Sequence, residues 1–215
     1  MRVAAIIPVG PGHEDVAFDA QRSVSEAWAT SEGPFTDLQV QRVLDPWGRE
    51  GRSRARNTGM DAFPEADWFL LLDADDLLMP TAFESAAVAL DVTPHAVGIW
   101  GAIYTERLKV TAKNRHPLTF DDLLGETTCG TLSMGCFVRA PEARATRFNE
   151  ELSNGEDFDF YLRLLDGRPF VKLEVPLVLI RDTVPNCDGT GPKQGKWVQA
   201  CDAQVQRFLA HRVTT

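Results

Sequence analysis

Residues 68–80 read WFLLLDADDLLMP. Trp68 to Leu72 is an unbroken run of large apolar side chains that leads straight into three carboxylates, Asp73, Asp75 and Asp76. Strands with one wet face alternate apolar and polar residues, so a run apolar on both faces predicts a central strand covered on both sides. Charge at the end of such a strand is costly, and three acids within four residues repel one another. Either a cation sits against them, or they mark a solvated turn whose charge favours the helix expected to start at Pro80.

Working outward from this strand, short apolar runs alternate with segments of helical period, the pattern of an α/β sandwich with a mostly parallel sheet. Val3 to Val9 reads as the first strand, stopped by Gly10-Pro11-Gly12, and Val16, Ala20, Val24 and Trp28 recur at helical spacing. Leu38 to Leu44 reads as the second strand, and Ser53 as the N-cap of a short helix through Ala55, Gly59, Met60 and Phe63. Phe83, Ala86, Ala87 and Leu90 continue a helix after Pro80. Further strands are expected over Val97–Tyr104, Thr131–Val138 and Val171–Ile180, the last interrupted by Pro176. Between them NGEDFDFYLRLLDG, residues 154–167, reads as a helix with Phe158, Leu162 and Leu165 on one face. Trp197, Cys201, Val205, Phe208 and Leu209 predict a closing helix. The expectation is one domain over 1–215, with halves at 1–80 and 97–182 and a C-terminal helix at 194–212.

The bulk properties fit that picture. The chain has 215 residues, 44% hydrophobic and 25% charged, with a formal net charge of −9. Such a balance does not by itself favour nucleic acid or an anionic membrane. Local runs differ: Arg42, Arg49, Arg52, Arg54 and Arg56 precede the acids, and Arg107, Lys109, Lys113 and Arg115 form a second basic stretch. Cys129, Cys136, Cys187 and Cys201 have no metal-type pairing and suit free thiols in a reducing compartment. The N-terminal apolar run is short for a signal peptide, and no apolar stretch approaches the roughly 18 residues of a membrane span. A cytoplasmic protein is expected.

Three stretches carry candidate chemistry. If the chain stays extended past Leu72, Asp73 and Asp75 point to one side at the carboxyl end of a central strand, where open α/β sheets hold ligands. Carboxylate oxygens there suit a hard ion, Mn²⁺ or Mg²⁺, with phosphate oxygens completing its shell. RSRARNTGM, residues 52–60, sets guanidinium groups at a helix start, where anions are favoured. LSNGEDFDFYLRLL, residues 152–165, breaks the chain at Asn154-Gly155 and opens a helix on Glu156 and Asp157. A carboxylate held at a helix start stays ionised near neutral pH, as a general base requires.

The order IIPV, Asp45, ARNTGM, FLLLDADD and, about eighty residues on, GEDFDFYLRL resembles the family-two inverting glycosyltransferases, over roughly residues 1 to 182. The resemblance implies a single GT-A (Rossmann-like) domain that binds a nucleotide-sugar donor. It implies that Pro8 and Val9 lie against the nucleotide and that Asp45 reads the base, commonly uracil. Arg52 or Arg56 would lie near the nucleotide or its diphosphate. Asp73 and Asp75 correspond to the D-x-D motif, with Asp75 the direct metal ligand, and Asp157, second of the Glu156–Asp157 pair, corresponds to the catalytic base.

The chain departs from the family pattern in two places. Only PWGREG separates Asp45 from Arg52, where relatives insert a helix and a strand, so base reading by Asp45 is in question and Trp47 is a second candidate. Where many relatives carry a late histidine, this chain reads Ile180-Arg181-Asp182, and Arg181 or Asp182 could take its place. A saccharide acceptor is expected. The arginine cluster leaves open a hydroxymethylated nucleic-acid base, flipped out to reach the pocket. A sugar-nucleotide nucleotidyltransferase is disfavoured because PVGPGHED lacks the basic end of that class's glycine-rich loop. A non-catalytic binding module is disfavoured by the intact acid pairs.

Overall fold

The computed structural model describes residues 1–106, 119–125, 132–181 and 194–214. The second basic run, Cys129, Cys187, His116 and Asp182 lie outside the described residues. The elements in chain order are β1 (Arg2–Val9), α1 (Val16–Thr30), β2 (Asp37–Leu44), α2 (Gly51–Asp61), β3 (Trp68–Leu71), β4 (Leu77–Leu78), α3 (Ala82–Val92) and β5 (Gly98–Trp100). There follow α4 (Phe120–Leu123), β6 (Cys136–Arg139), α5 (Ala140–Thr146), α6 (Glu156–Leu165), β7 (Val171–Lys172), β8 (Val178–Leu179) and α7 (Gln194–Thr214).

Six strands form one sheet in the order β2-β1-β3-β6-β5-β7, in which β1 pairs parallel with β2 and β3, β5 with β7, and β6 runs antiparallel to both of its neighbours. The sheet is therefore mostly parallel, and it is flanked by helices on both faces, as expected from the sequence. β2 stands at the edge, where PWGREG leaves no room for another strand.

Strand periodicity divides the core. Ala4 and Ile6 of β1, Phe69 and Leu71 of β3 and Cys136 and Val138 of β6 face one side, packed on Met60 of α2, Ala143 of α5, Phe160 and Leu164 of α6 and Cys201 of α7. Val3, Ala5, Ile7, Trp68, Leu70 and Phe137 face the other, against Ala20 and Val24 of α1 and Phe83 and Ala86 of α3. All four β3 side chains are buried, and each contributes roughly 1.5–3 kcal/mol relative to exposure. Every side chain of the run therefore had to be apolar.

Several expected boundaries move. β3 ends at Leu71, one residue early, and the acids lie in a turn closed by Asp76 N–H on the Asp73 carbonyl at 3.2 Å, not on an extended strand. The Val97–Tyr104 run is paired as strand only over Gly98–Trp100, because Ala102 N–H turns to the Val175 carbonyl at 2.9 Å. In the described part of the expected Thr131–Val138 strand, residues 132–138, strand pairing begins at Cys136. The Val171–Ile180 run splits around Pro176, β7 staying in the main sheet and β8 pairing antiparallel with β4 in a second, two-stranded sheet. Ser53 is no N-cap: it lies buried inside α2, which starts two residues earlier.

Candidate functional site

The carboxyl ends of β1, β2 and β3 converge, and each segment of the ARNTGM stretch has a separate task there. Gly59 lets α2 lie directly on the sheet, because a Cβ would run into Ile6 Cγ2 and sit 3.2 Å from Val43 Cγ2. Asn57 staples α2 to the segment before α6: its Nδ2 donates to the Phe148 carbonyl at 3.0 Å and to Glu150 at 2.9 Å, and its Oδ1 accepts from Phe148 N–H at 2.9 Å. Arg56 is 3% exposed and points into the site. Its guanidinium donates to Asp73 at 2.6 Å and to Glu156 at 3.0 Å, and it sits 5.1 Å from the centroid of Phe148, which stacks on Phe160.

Arg56 thus joins the acid turn to the start of α6 across one hundred residues of sequence. Burial would strip its proton, but the charges of Asp73 and Glu156 outweigh burial and raise its basicity, so it stays a cation. Arg52, one turn earlier on α2, lies 3.4 Å from the same Glu156 carboxylate. Glu156 is buried between these two arginines, whereas Asp157 is partly buried and accepts Phe158 N–H at 2.8 Å. Burial, and next the charge of Glu156, push the Asp157 carboxyl up to about 7, with Arg56 pulling it down. The helix start alone predicted a fully ionised acid; its buried neighbourhood makes it a group that titrates near neutrality. Gly155, at φ 70°, turns the chain into α6, and a Cβ there would crowd Ala200 of α7 at 3.2 Å.

In the turn itself, one carboxylate oxygen from each of Asp73, Asp75 and Asp76 lies within 4.8 Å of the others. Burial, then the charge of Asp73, raises Asp75; burial, then Asp75, raises Asp76 well above the usual carboxylate range. Three hard oxygens that destabilise one another in this way fit a divalent ion such as Mn²⁺ or Mg²⁺. Asp76 was not assigned a role from sequence. The signal that could have found it was its place in DADD: the turn closed after Asp73 brings the fourth residue back.

Arg181 fixes this turn from behind. Its backbone N–H donates to Asp76 at 3.1 Å, its Nε to the Asp75 carbonyl at 2.5 Å, and its two terminal nitrogens to Asp19 and the Val16 carbonyl of α1, each at 3.3 Å. The β4–β8 pairing delivers Arg181 to that place.

The remaining predicted residues are less central. Pro8 and Val9 end β1 beside the site, but the Val9 side chain is in the core and its carbonyl accepts Asp45 N–H at 2.8 Å. The Asp45 carboxylate accepts N–H groups of Arg49, Glu50 and Gly51 at 2.9, 3.0 and 2.9 Å. Burial works to raise Asp45, and these backbone bonds outweigh it and lower its pKa. Asp45 is therefore the group that ties the short PWGREG loop into the start of α2, while Trp47 stands 77% exposed beside it. The arginine cluster is largely engaged internally: Arg42 covers the Phe18 ring, Arg54 pairs with Glu50 and Glu150, and Arg52 and Arg56 face Glu156.

A mostly parallel sheet with one antiparallel insertion, an acid turn after its central strand and an acid pair opposite it define the GT-A glycosyltransferase class. The sequence profile described as Glycosyl transferase family 2 matches residues 19–148, more than half of the chain. The chain belongs to that family. Among solved structures it is similar to S. aureus TarS 1-349 in complex with UDP-GlcNAc, at 13% identity and a TM-score of 0.67, covering 98% of this chain and 71% of that one. It is also similar to mannosyl-3-phosphoglycerate synthase from Rubrobacter xylanophilus, at 14% identity and a TM-score of 0.64, covering 100% and 76%. A third is glucosyl-3-phosphoglycerate synthase from Mycobacterium tuberculosis with Mn²⁺ and UDP-glucose, at 12% identity and a TM-score of 0.57, covering 96% and 78%. Against other TarS structures the match spans 60% of TarS 1-349 and 42% of a longer TarS chain. No curated protein matches as a sequence relative. Among the described residues no helix is long and apolar enough to cross a membrane.

Proposed function

We propose that this chain is a metal-dependent inverting glycosyltransferase that moves a sugar from a UDP-sugar to the hydroxyl of a saccharide acceptor. The observation that supports the reading is the buried Arg56, which ties the acid turn at Asp73 to Glu156, next to Asp157. Asp73, Asp75 and Asp76 would hold Mn²⁺ or Mg²⁺, which would supply positive charge to offset that of the donor's diphosphate. Asp157 takes the proton of the acceptor hydroxyl as that oxygen bonds to the anomeric carbon, an aid worth roughly 10²–10⁴-fold. The bond from the anomeric carbon to the diphosphate oxygen breaks, its electron pair leaving with the diphosphate on the opposite face, so the configuration inverts. A pKa near the working pH suits this role, because the base must both be ionised and accept a proton. Glu156, held by two arginines, orients the helix start and is not itself the base.

Residues 1–80 then serve the donor and 97–182 the acceptor within one domain. The buried thiols of Cys136 and Cys201 fit a reducing cytoplasm. The internal pairing of the arginine cluster supports a saccharide over a nucleic-acid acceptor. The test is turnover of UDP-sugars by the wild type and by Asp157→Asn, with the product anomer read by NMR. The variant should keep UDP affinity within a few-fold and lose about 10²-fold or more of turnover. Near-normal turnover would remove Asp157 from the mechanism, and a product of retained configuration would overturn the inverting step.

A further inference from the structure

We infer that His13, on the turn between β1 and α1, is a donor-binding residue whose Nε2 hydrogen-bonds a phosphate oxygen of the nucleoside diphosphate beside the acid turn. This rests on the reading above and adds a residue that neither the D-x-D turn nor the Glu156–Asp157 pair supplies.

Three observations converge on it. The Nε2 atom of His13 is buried and has no hydrogen-bond partner among the described residues, a state that native proteins rarely leave unexplained. The backbone around it is fixed: His13 N–H donates to the Gly10 carbonyl at 3.2 Å, and its own carbonyl accepts Ala17 N–H at 3.0 Å. The imidazole is thereby set at the threshold of α1, whose positive end favours anions.

That threshold faces the acids. Arg181 bonds both the Val16 carbonyl of α1 and the Asp75 carbonyl of the acid turn, clipping the two segments together. Yet the compact oxygen cluster consists of Asp73, Asp75 and Asp76 without a histidine nitrogen. His13 is therefore no part of the oxygen cluster itself; at the threshold of α1 that Arg181 ties to the acid turn, its unpartnered Nε2 would donate to a phosphate oxygen of a diphosphate held there. A diphosphate there is acceptor-rich, and an imidazole N–H is the matching donor.

Calorimetry of UDP with Mn²⁺ separates this inference from the reading beneath it. His13→Ala should weaken UDP binding about tenfold, the loss of one hydrogen bond to a charged group, while Mn²⁺ alone binds within about twofold of wild type. His13→Gln, which keeps a donor, should recover part of the loss. In the wild type, the imidazole ¹⁵N signal of His13 should move on adding UDP with Mn²⁺, a readout that stands even if His13→Ala fails to fold. Wild-type affinity in His13→Ala, or an unmoved signal, together with lost binding in Asp75→Ala, would overturn the role of His13 and leave the metal site standing. Absence of UDP binding by the wild type would overturn both.

Discussion

The guanidinium of Arg56 and the carboxylate of Glu156, one hundred residues apart in the chain, pair at 3.0 Å with both side chains 3% exposed. Removing one partner of a buried pair leaves the other charge uncompensated, at a cost of about 3–5 kcal/mol. Arg56→Ala is therefore expected to lower the urea midpoint strongly, measured as ΔG from denaturation curves. Arg56→Lys should fall between, because an ammonium cannot span Asp73 and Glu156 with a planar fork.

Gly59 marks where α2 rests on the sheet. Gly59→Ala adds a methyl against Ile6 and Val43, and such overpacking costs roughly 1–3 kcal/mol. On an exposed helix face the same change would stabilise, by the ordinary helix preference of alanine over glycine. A lowered melting temperature in this variant checks that contact.

Asp45 is expected to matter for stability whether or not it touches the nucleotide. Its carboxylate gathers the N–H groups that open α2, and losing a helix-start acceptor costs about 0.5–2 kcal/mol. Asp45→Ala should lower the melting temperature in the absence of any ligand.

The fold was legible where chemistry is local. A run apolar on both faces could only be a central strand, and Val16, Ala20 and Val24 could only be a helix face; both are found. Ends were less legible, because they are set by contacts distant in sequence. Gly101 leaves the strand path where it presses on the backbone of Leu177, and the acids turn because β4 pairs with β8. The site was half legible. DADD and the Glu156–Asp157 pair announce themselves by charge in apolar surroundings. Residue type alone does not separate Arg56 from the exposed Arg54 on the same helix; only the family resemblance points to Arg56 and Arg181, and nothing around His13 marks it as a neighbour of the acid turn.

Asp157 gives a pH prediction with a definite sign. Its carboxyl rises from an ordinary 3.8 to about 7 on folding, through burial first and Glu156 next. The folded chain thus holds a proton that the unfolded chain has released, and the stability this contributes, complete below 3.8, is lost as pH rises through about 7. Asp157→Asn, which cannot ionise, should gain in melting temperature relative to wild type on going from pH 5 to about 8. Activity runs the opposite way: wild-type turnover should climb with pH through about 7 as the base becomes ionised.

The central claim is that Asp73, Asp75 and Asp76 carry a divalent ion that holds the donor's diphosphate. Titrating UDP into the protein with Mn²⁺ and again after chelation tests it most directly. Binding with Mn²⁺ that falls about 10²-fold or more on chelation, and equally in Asp75→Ala, is the predicted result, because the phosphates then face the acids unshielded. The same UDP affinity with and without the ion would contradict it.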